Sequence, residues 1–179
     1  MAYISEIKTT APETFVCDTQ RRVYERLGQL GISFERVDCD PAITMEDCKA
    51  LDEALNVSIV KTLLLTNRQQ TRFYLFVTRG DKPFSTRDFG RAMECSRVSF
   101  APAQTLLDML GTPVGACTLL SIIEDTENHI SVVIDRDVTG EEWYGCADST
   151  TTGYMRLKTS DILGPYLDAS GHKAAFIEV

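Results

Sequence analysis

Histidine is scarce in this 179-residue chain, which holds only His129 and His172. Neither has ligand spacing to a cysteine, so no zinc site is expected. Six cysteines are scattered along the chain (Cys17, Cys39, Cys48, Cys95, Cys117, Cys146) without a CxxC pair. In a chain of this size they are expected to be reduced thiols in a cytoplasmic protein. No apolar run approaches the ~20 residues that a membrane span needs, so no membrane partner is expected. The start, MAYISEIKTTAPETF, lacks the basic end and apolar stretch of a secretory leader. GxSxG, a P-loop and GxGxxG are all missing, and no Ser-His-Asp arrangement is suggested. There is no internal repeat, low-complexity segment or domain linker.

The length suits one domain able to bury a core without staples. We place that domain at 18–179, with 1–17 as an N-terminal extension. The net charge of −8 argues against indiscriminate nucleic-acid binding. The charge is uneven, however. From Lys61 to Arg97 eight basic residues meet three acidic ones, +5 locally, which leaves −13 elsewhere. This stretch reads either as a solvated surface or as a phosphate-facing patch. The carboxylate pairs Glu124/Asp125, Asp135/Asp137 and Glu141/Glu142 read as solvated charges in turns or at strand ends.

The pattern predicts interspersed helices and strands. Asp18 can cap a helix through RRVYERLGQL that stops at Gly31. ISFERVD alternates as a strand, and Thr44 with Asp47 resembles a capping box before MEDCKALDEAL. VSIVKTLLLT and RFYLFVT form a hairpin over 57–78. Ser85 and Asp88 open a helix over TRDFGRAME, and SRVSFA is a short strand. Pro102 starts the helix AQTLLDML, which ends at Gly111. TPVGACTL is read as a loop entering a strand. HISVVID and YMRLKT are strands flanking the loop GCADSTTTG. DILGPYLDAS is helical despite its Gly-Pro step, and KAAFIEV closes as a strand. The fold class is therefore α/β (α+β), a single domain with a mixed β-sheet and surrounding helices.

Three features carry possible chemistry. Lys61 lies within an apolar strand, where an unpaired charge is costly. It reads either as a snorkelling edge lysine or as a cation at a pocket mouth. In LGTPVGACTL two glycines bracket a proline, so backbone N–H groups can face a ligand oxygen, or the segment is an ordinary turn. GCADSTTTG is a run of small hydroxylated residues.

In order, LGQLGISFERVD, VKTLLL, YLFVT, CSRVSFAPAQTLLDMLGTPVGACTL, ISVVIDRDV and the terminal GHKAAFIEV resemble the YbaK/ProX family, the editing domains related to the insertion domain of bacterial prolyl-tRNA synthetase. The resemblance spans nearly all of 20–179. It implies a mixed-sheet domain with a pocket over the sheet, and hydrolysis of the ester joining a wrong amino acid to a tRNA 3′ end. It places the family's strand lysine on Lys61, as the catalytic residue, and its G-x-x-P-G loop on Gly111, Pro113 and Gly115. Ser99 falls in its S-F-A element. The resemblance implies no cofactor and no metal. The implied partners are aminoacylated tRNA and prolyl-tRNA synthetase, with the chain a monomer or homodimer. Arg79, Lys82 and Arg87 are the expected tRNA contacts. Two positions depart from the family pattern. Thr62 replaces an asparagine, and Gly145-Cys146-Ala147-Asp148 replaces G-x-H-P. Three outcomes follow: a different aminoacyl group, substitution of the lost polar function by Asp148 or Thr150, or a non-catalytic module that binds aminoacyl-tRNA or an amino acid. The expected function is a free-standing deacylase acting in trans on tRNA-Pro carrying a small amino acid such as alanine.

Overall fold

β-Branched, leucine and aromatic residues dominate KTLLLTN and FYLFVT, and these two segments pair as the antiparallel strands β2 (Lys61–Asn67) and β3 (Phe73–Thr78). The side chain of Asn67 closes their turn by accepting the backbone N–H groups of Thr71 and Arg72. The computed structural model describes residues 3–179, so the first two residues of the expected extension lie outside the described residues.

The hairpin is the centre of a five-stranded mixed sheet, ordered β4-β2-β3-β5-β8. β4 (Val98–Phe100) runs antiparallel to β2, whereas β5 (Ile130–Asp135) and β8 (Ala174–Ile177) are parallel additions. A second, antiparallel sheet holds β1 (Phe34–Asp38), β7 (Gly153–Lys158) and β6 (Trp143–Ala147). Residues 145–147, expected in a loop, therefore finish a strand. A backbone hydrogen bond links the sheets where Val60 N–H donates to the Gly145 carbonyl at 2.8 Å. Residues 5–8 pair with the outer edge of β1 through Ser5 and Lys8.

Helices cover both faces. α1 (Asp18–Leu30) is capped by the Cys17 sulfur, which accepts from Gln20 N–H, so Asp18 is the first helical residue rather than the cap. α2 (Lys49–Leu55) follows a separate turn in which Thr44 and Asp47 bond reciprocally, so the capping box closes that turn and not the helix. α3 (Thr86–Ala92) starts at the Ser85 cap, and α4 (Ala103–Leu110) stops at left-handed Gly111. After the 112–118 loop the chain enters a 3₁₀ turn, Leu119–Glu124, where a strand was expected. α5 (Arg136–Thr139) joins β5 to β6. α6 (Thr159–Asp161) continues through a π-turn over Ile162–Tyr166, which absorbs Pro165, into α7 (Leu167–Ser170).

Alternation divides the sheet's side chains between two cores. Leu64, Leu75, Val77, Val132 and Ile134 pack with α1, α4, the 3₁₀ turn and the second sheet. Leu65, Tyr74, Phe76 and Val133 pack with Phe89 of α3. A third cluster joins α2 to Val37, Ile59, Ala147 and Tyr154.

Candidate active site

A cavity of about 420 Å³ lies where the two sheets meet, against the free edge of β2. At one end of that edge the Leu64 carbonyl accepts from Ala101 N–H at 2.9 Å. At the other end Val60 N–H is held by Gly145. Between them Thr62 pairs, among the described residues, only with Val77 of β3, and none of them adds a neighbouring strand along this stretch of edge. Alternation along an antiparallel ladder turns the Thr62 N–H and C=O to the same side as those of Leu64. The cavity thus meets an exposed strand edge, a polar feature in an apolar wall.

Lys61, Thr62 and Gly115 line this cavity. Lys61 is half-buried and donates from Nζ to the Lys82 carbonyl at 2.7 Å. Burial pulls its pKa below the ordinary lysine value, and the charge of Asp81 opposes that shift. An ammonium has three donors, so two remain for a ligand. The Thr62 hydroxyl is buried and faces the buried Tyr144 phenol, whose pKa burial drives well up. Gly115 has φ +89°, and a Cβ there would lie 2.9 Å from the Ile43 Cα. Glycine therefore lets the 112–117 loop close against the 40–47 segment. Tyr154 secures that side by donating to the Ala42 carbonyl at 2.9 Å.

The other expected site residues stand behind or beside the cavity. Gly111 has φ +62°, and a Cβ would lie 2.0 Å from Thr19 Oγ1, so it fits α4 to α1. Pro113 accepts from Ala116 N–H at 3.1 Å and forms the turn that presents Gly115. Gly145 packs against Val57 and Ile59 at the sheet junction. Asp148 is buried away from the cavity, accepting from Gln20 Nε2 at 2.7 Å, from Tyr24 OH at 3.0 Å and from Thr150 Oγ1 at 2.7 Å. Its pKa is raised by burial, against the pull of those bonds. Thr150 completes this network and does not reach the cavity. Ser99 is exposed on β4, opposite Thr66. Arg79 is engaged by Asp81 and Glu141, and Lys82 bridges Asp135 and Asp137 at 2.8 and 2.7 Å. Arg87 is exposed on α3.

Sequence reasoning missed several wall residues. Ile43, Met45, Cys48 and Tyr154 lie outside the segments that carry the resemblance, whereas Phe100, Val114, Cys117 and Ala147 lie within singled-out segments but were not named as site residues. Burial pushes the Cys48 thiol up to about 11 and the Cys117 thiol up to about 12, so both are protonated at neutral pH. Among the described residues no Asp, Glu or His lines the cavity. Among the described residues no group of three or more His, Cys, Asp or Glu is placed to hold a metal ion.

Residues 39–164 match the aminoacyl-tRNA editing domain, a span that contains the whole β2 edge and all the cavity walls. The chain belongs to that family. Two relatives resemble it over most of their length. The Danio rerio prolyl-tRNA synthetase associated domain-containing protein 1 is 25% identical over 157 residues, 87% of this chain and 84% of the relative. The prolyl-tRNA editing protein ProX of Acetoanaerobium sticklandii is 24% identical over 162 residues, 90% and 98% respectively. The fold is shared with the crystal structure of hypothetical protein APE2540 (TM-score 0.68, 20% identity, 87% and 98% coverage). It is also shared with a candidate trans-editing enzyme for prolyl tRNA synthetase (TM-score 0.67, 17% identity, 92% and 99% coverage).

Proposed function

We propose that this chain is a deacylase that hydrolyses, in trans, the ester linking a wrong amino acid to tRNA, with tRNA-Pro carrying a small amino acid such as alanine as its substrate. The observation that carries the reading is the free β2 edge at Thr62, facing a largely apolar, open-mouthed cavity beside the Lys61 ammonium. The names of the two relatives, both tied to prolyl-tRNA, support the choice of tRNA.

The chemistry fits the groups at hand. An aminoacyl ester is already activated, so water can attack it without a covalent enzyme intermediate. The two cavity cysteines are poor nucleophiles because their thiols stay protonated. Lys61 supplies positive charge for the oxygen that gains negative charge in the tetrahedral intermediate, or for the adjacent phosphate. The Thr62 N–H and the Gly115 turn fix the acyl group. Placing the reactants and stabilising that charge are the two contributions asked of the protein. Walls of Ile, Leu, Met and Val restrict the acyl group by size. This suits a second sieve, because a synthetase pocket separates amino acids differing by one methylene by only ~1–3 kcal/mol.

A second reading is a non-catalytic module of the same fold. The absence of any carboxylate or imidazole from the cavity wall favours it, since no such group can take a proton from water. Single-turnover deacylation of Ala-, Ser-, Cys- and Pro-charged tRNA-Pro decides between the two. The deacylase reading expects rapid hydrolysis of one mischarged species and loss of that hydrolysis in Lys61→Ala. Binding without turnover of any species would establish the module instead.

A further inference from the structure

The basic stretch sorts into engaged and free charges. Arg79 and Lys82 are neutralised by carboxylates. Arg87, Arg91 and Arg97 instead surround one shallow depression formed by α3 and the start of β4. Arg87 and Arg97 have no ion pair among the described residues, and Arg91 has only a loose, exposed one with Asp88 at 3.8 Å. On a chain of net charge −8 such a cluster is a local field that selects a polyanion.

The cluster leads to the cavity. Arg97 immediately precedes β4, and Phe100 ends it. At about 3.3 Å per strand residue, the two lie about 10 Å apart. Phe100 is 58% exposed although it is a large aromatic residue, and it forms part of the cavity wall. One edge of the ring is fixed by Phe84, with centroids 5.7 Å apart and planes at 64°. A fixed, half-open ring at a pocket mouth, with arginines behind it, is the arrangement that holds single-stranded nucleic acid. The ring stacks a base and the cations follow the backbone.

We infer that Phe100 stacks on a nucleobase of the substrate's single-stranded 3′ end while Arg87, Arg91 and Arg97 hold the phosphates behind it. The inference deepens the deacylase reading and rests on it for the identity of the ligand, an RNA 3′ end carrying an ester. It assigns the docking direction. The chain end enters the cavity past Phe100, and the duplex stem lies on the α3 side. It also moves the phosphate contacts away from Arg79 and Lys82, which keep their structural partners.

The test measures binding separately from hydrolysis. Fluorescence anisotropy would follow uncharged tRNA, and a short RNA with the tRNA 3′ sequence, across a salt series. Phe100→Ala is expected to weaken binding of the short RNA roughly 5- to 150-fold, the range for loss of one stacked base. Phe100→Trp is expected to retain binding, which separates stacking from disturbed packing. The triple variant Arg87→Gln/Arg91→Gln/Arg97→Gln is expected to flatten the slope of log affinity against log salt by about 2, from three lost contacts of ~0.7 each. Wild-type binding by both variants, or no binding of the short RNA by the wild type, would overturn the inference. Wild-type hydrolysis of a mischarged tRNA that neither variant slows would also overturn it while leaving the deacylase reading intact. Binding lost in the variants, with no species hydrolysed by the wild type, would support the docking surface and remove the deacylase.

Discussion

Lys61 is held by a backbone carbonyl and not by a carboxylate. A neutral acceptor fixes the ammonium without cancelling its charge, and so leaves the charge for a ligand. The nearest acidic influence, Asp81, is occupied by Arg79. Lys61→Met keeps the aliphatic stem and removes the charge. It is expected to slow single-turnover deacylation by roughly 10²-fold or more, the usual loss when a group stabilising an oxyanion is removed. Stability should be unchanged or slightly raised, because a half-buried charge disappears. A melt and a rate measurement on the same preparation check both halves. Gly115 illustrates the opposite kind of residue, one without chemistry of its own. Gly115→Ala combines a left-handed φ of +89° with a Cβ 2.9 Å from the Ile43 Cα. It is expected to cost about 1–3 kcal/mol in urea denaturation and to lower turnover by moving the loop off the cavity. A normal rate in the variant would show that the loop does not shape the site.

The turn between β6 and β7 is an element built around one acid. Asp148 joins this turn to α1 by accepting from Gln20 and Tyr24, and Gly153 leaves the room it occupies. Asp148→Ala would strand those donors in the interior, so a loss of about 2–4 kcal/mol is expected. In a chain of this size that lowers Tm by about 4–16 °C, which calorimetry would register. Elements with strong local signals were legible in the sequence: the β2–β3 hairpin, the Ser85 cap, the glycine stops at Gly31 and Gly111, and the strand HISVVID. Elements governed by tertiary contact were not. GCADSTTTG reads as a loop because its residues are small and polar, yet its first three finish β6, where Gly145 leaves room for Val57 and Ile59. LLSII has the composition of a strand, but with its buried side chains packed in the main core it winds as a 3₁₀ turn. The site divides in the same way. Lys61 and Gly115 could be placed from motif order, whereas Ala147, Tyr154 and Phe100 meet only after the sheets have docked.

For the molecule as a whole, acid is the condition that separates the structural carboxylates. Burial alone would raise Asp125, but bonds from His172 and from the N–H groups of Ile130 and His129 outweigh it, so its pKa is net lowered. Both members of the His172–Asp125 pair are nearly inaccessible, at 3% and 4% side-chain exposure, and they join the last helix to the start of β5. Asp38 is shifted in the same direction, burial again being outweighed, here by Lys8 and Arg36. A carboxyl with a lowered folded pKa binds its proton more readily when unfolded. Its contribution is therefore complete above the ordinary carboxylate pKa and is lost as pH falls through the folded value. Asp148, with its raised pKa, has the opposite sign and favours the fold as it protonates. Acid destabilisation then comes from carboxylates of the first kind, Asp125 and Asp38 among them, and is partly offset by those of the second. Urea midpoints measured from about pH 7 to pH 3 should fall below about pH 4 in the wild type. In Asp125→Asn the neutral-pH midpoint should be lower and the acid limb shallower, because the titrating group is gone. Parallel curves for the two proteins would show that the His172–Asp125 junction does not set the acid limit of this fold.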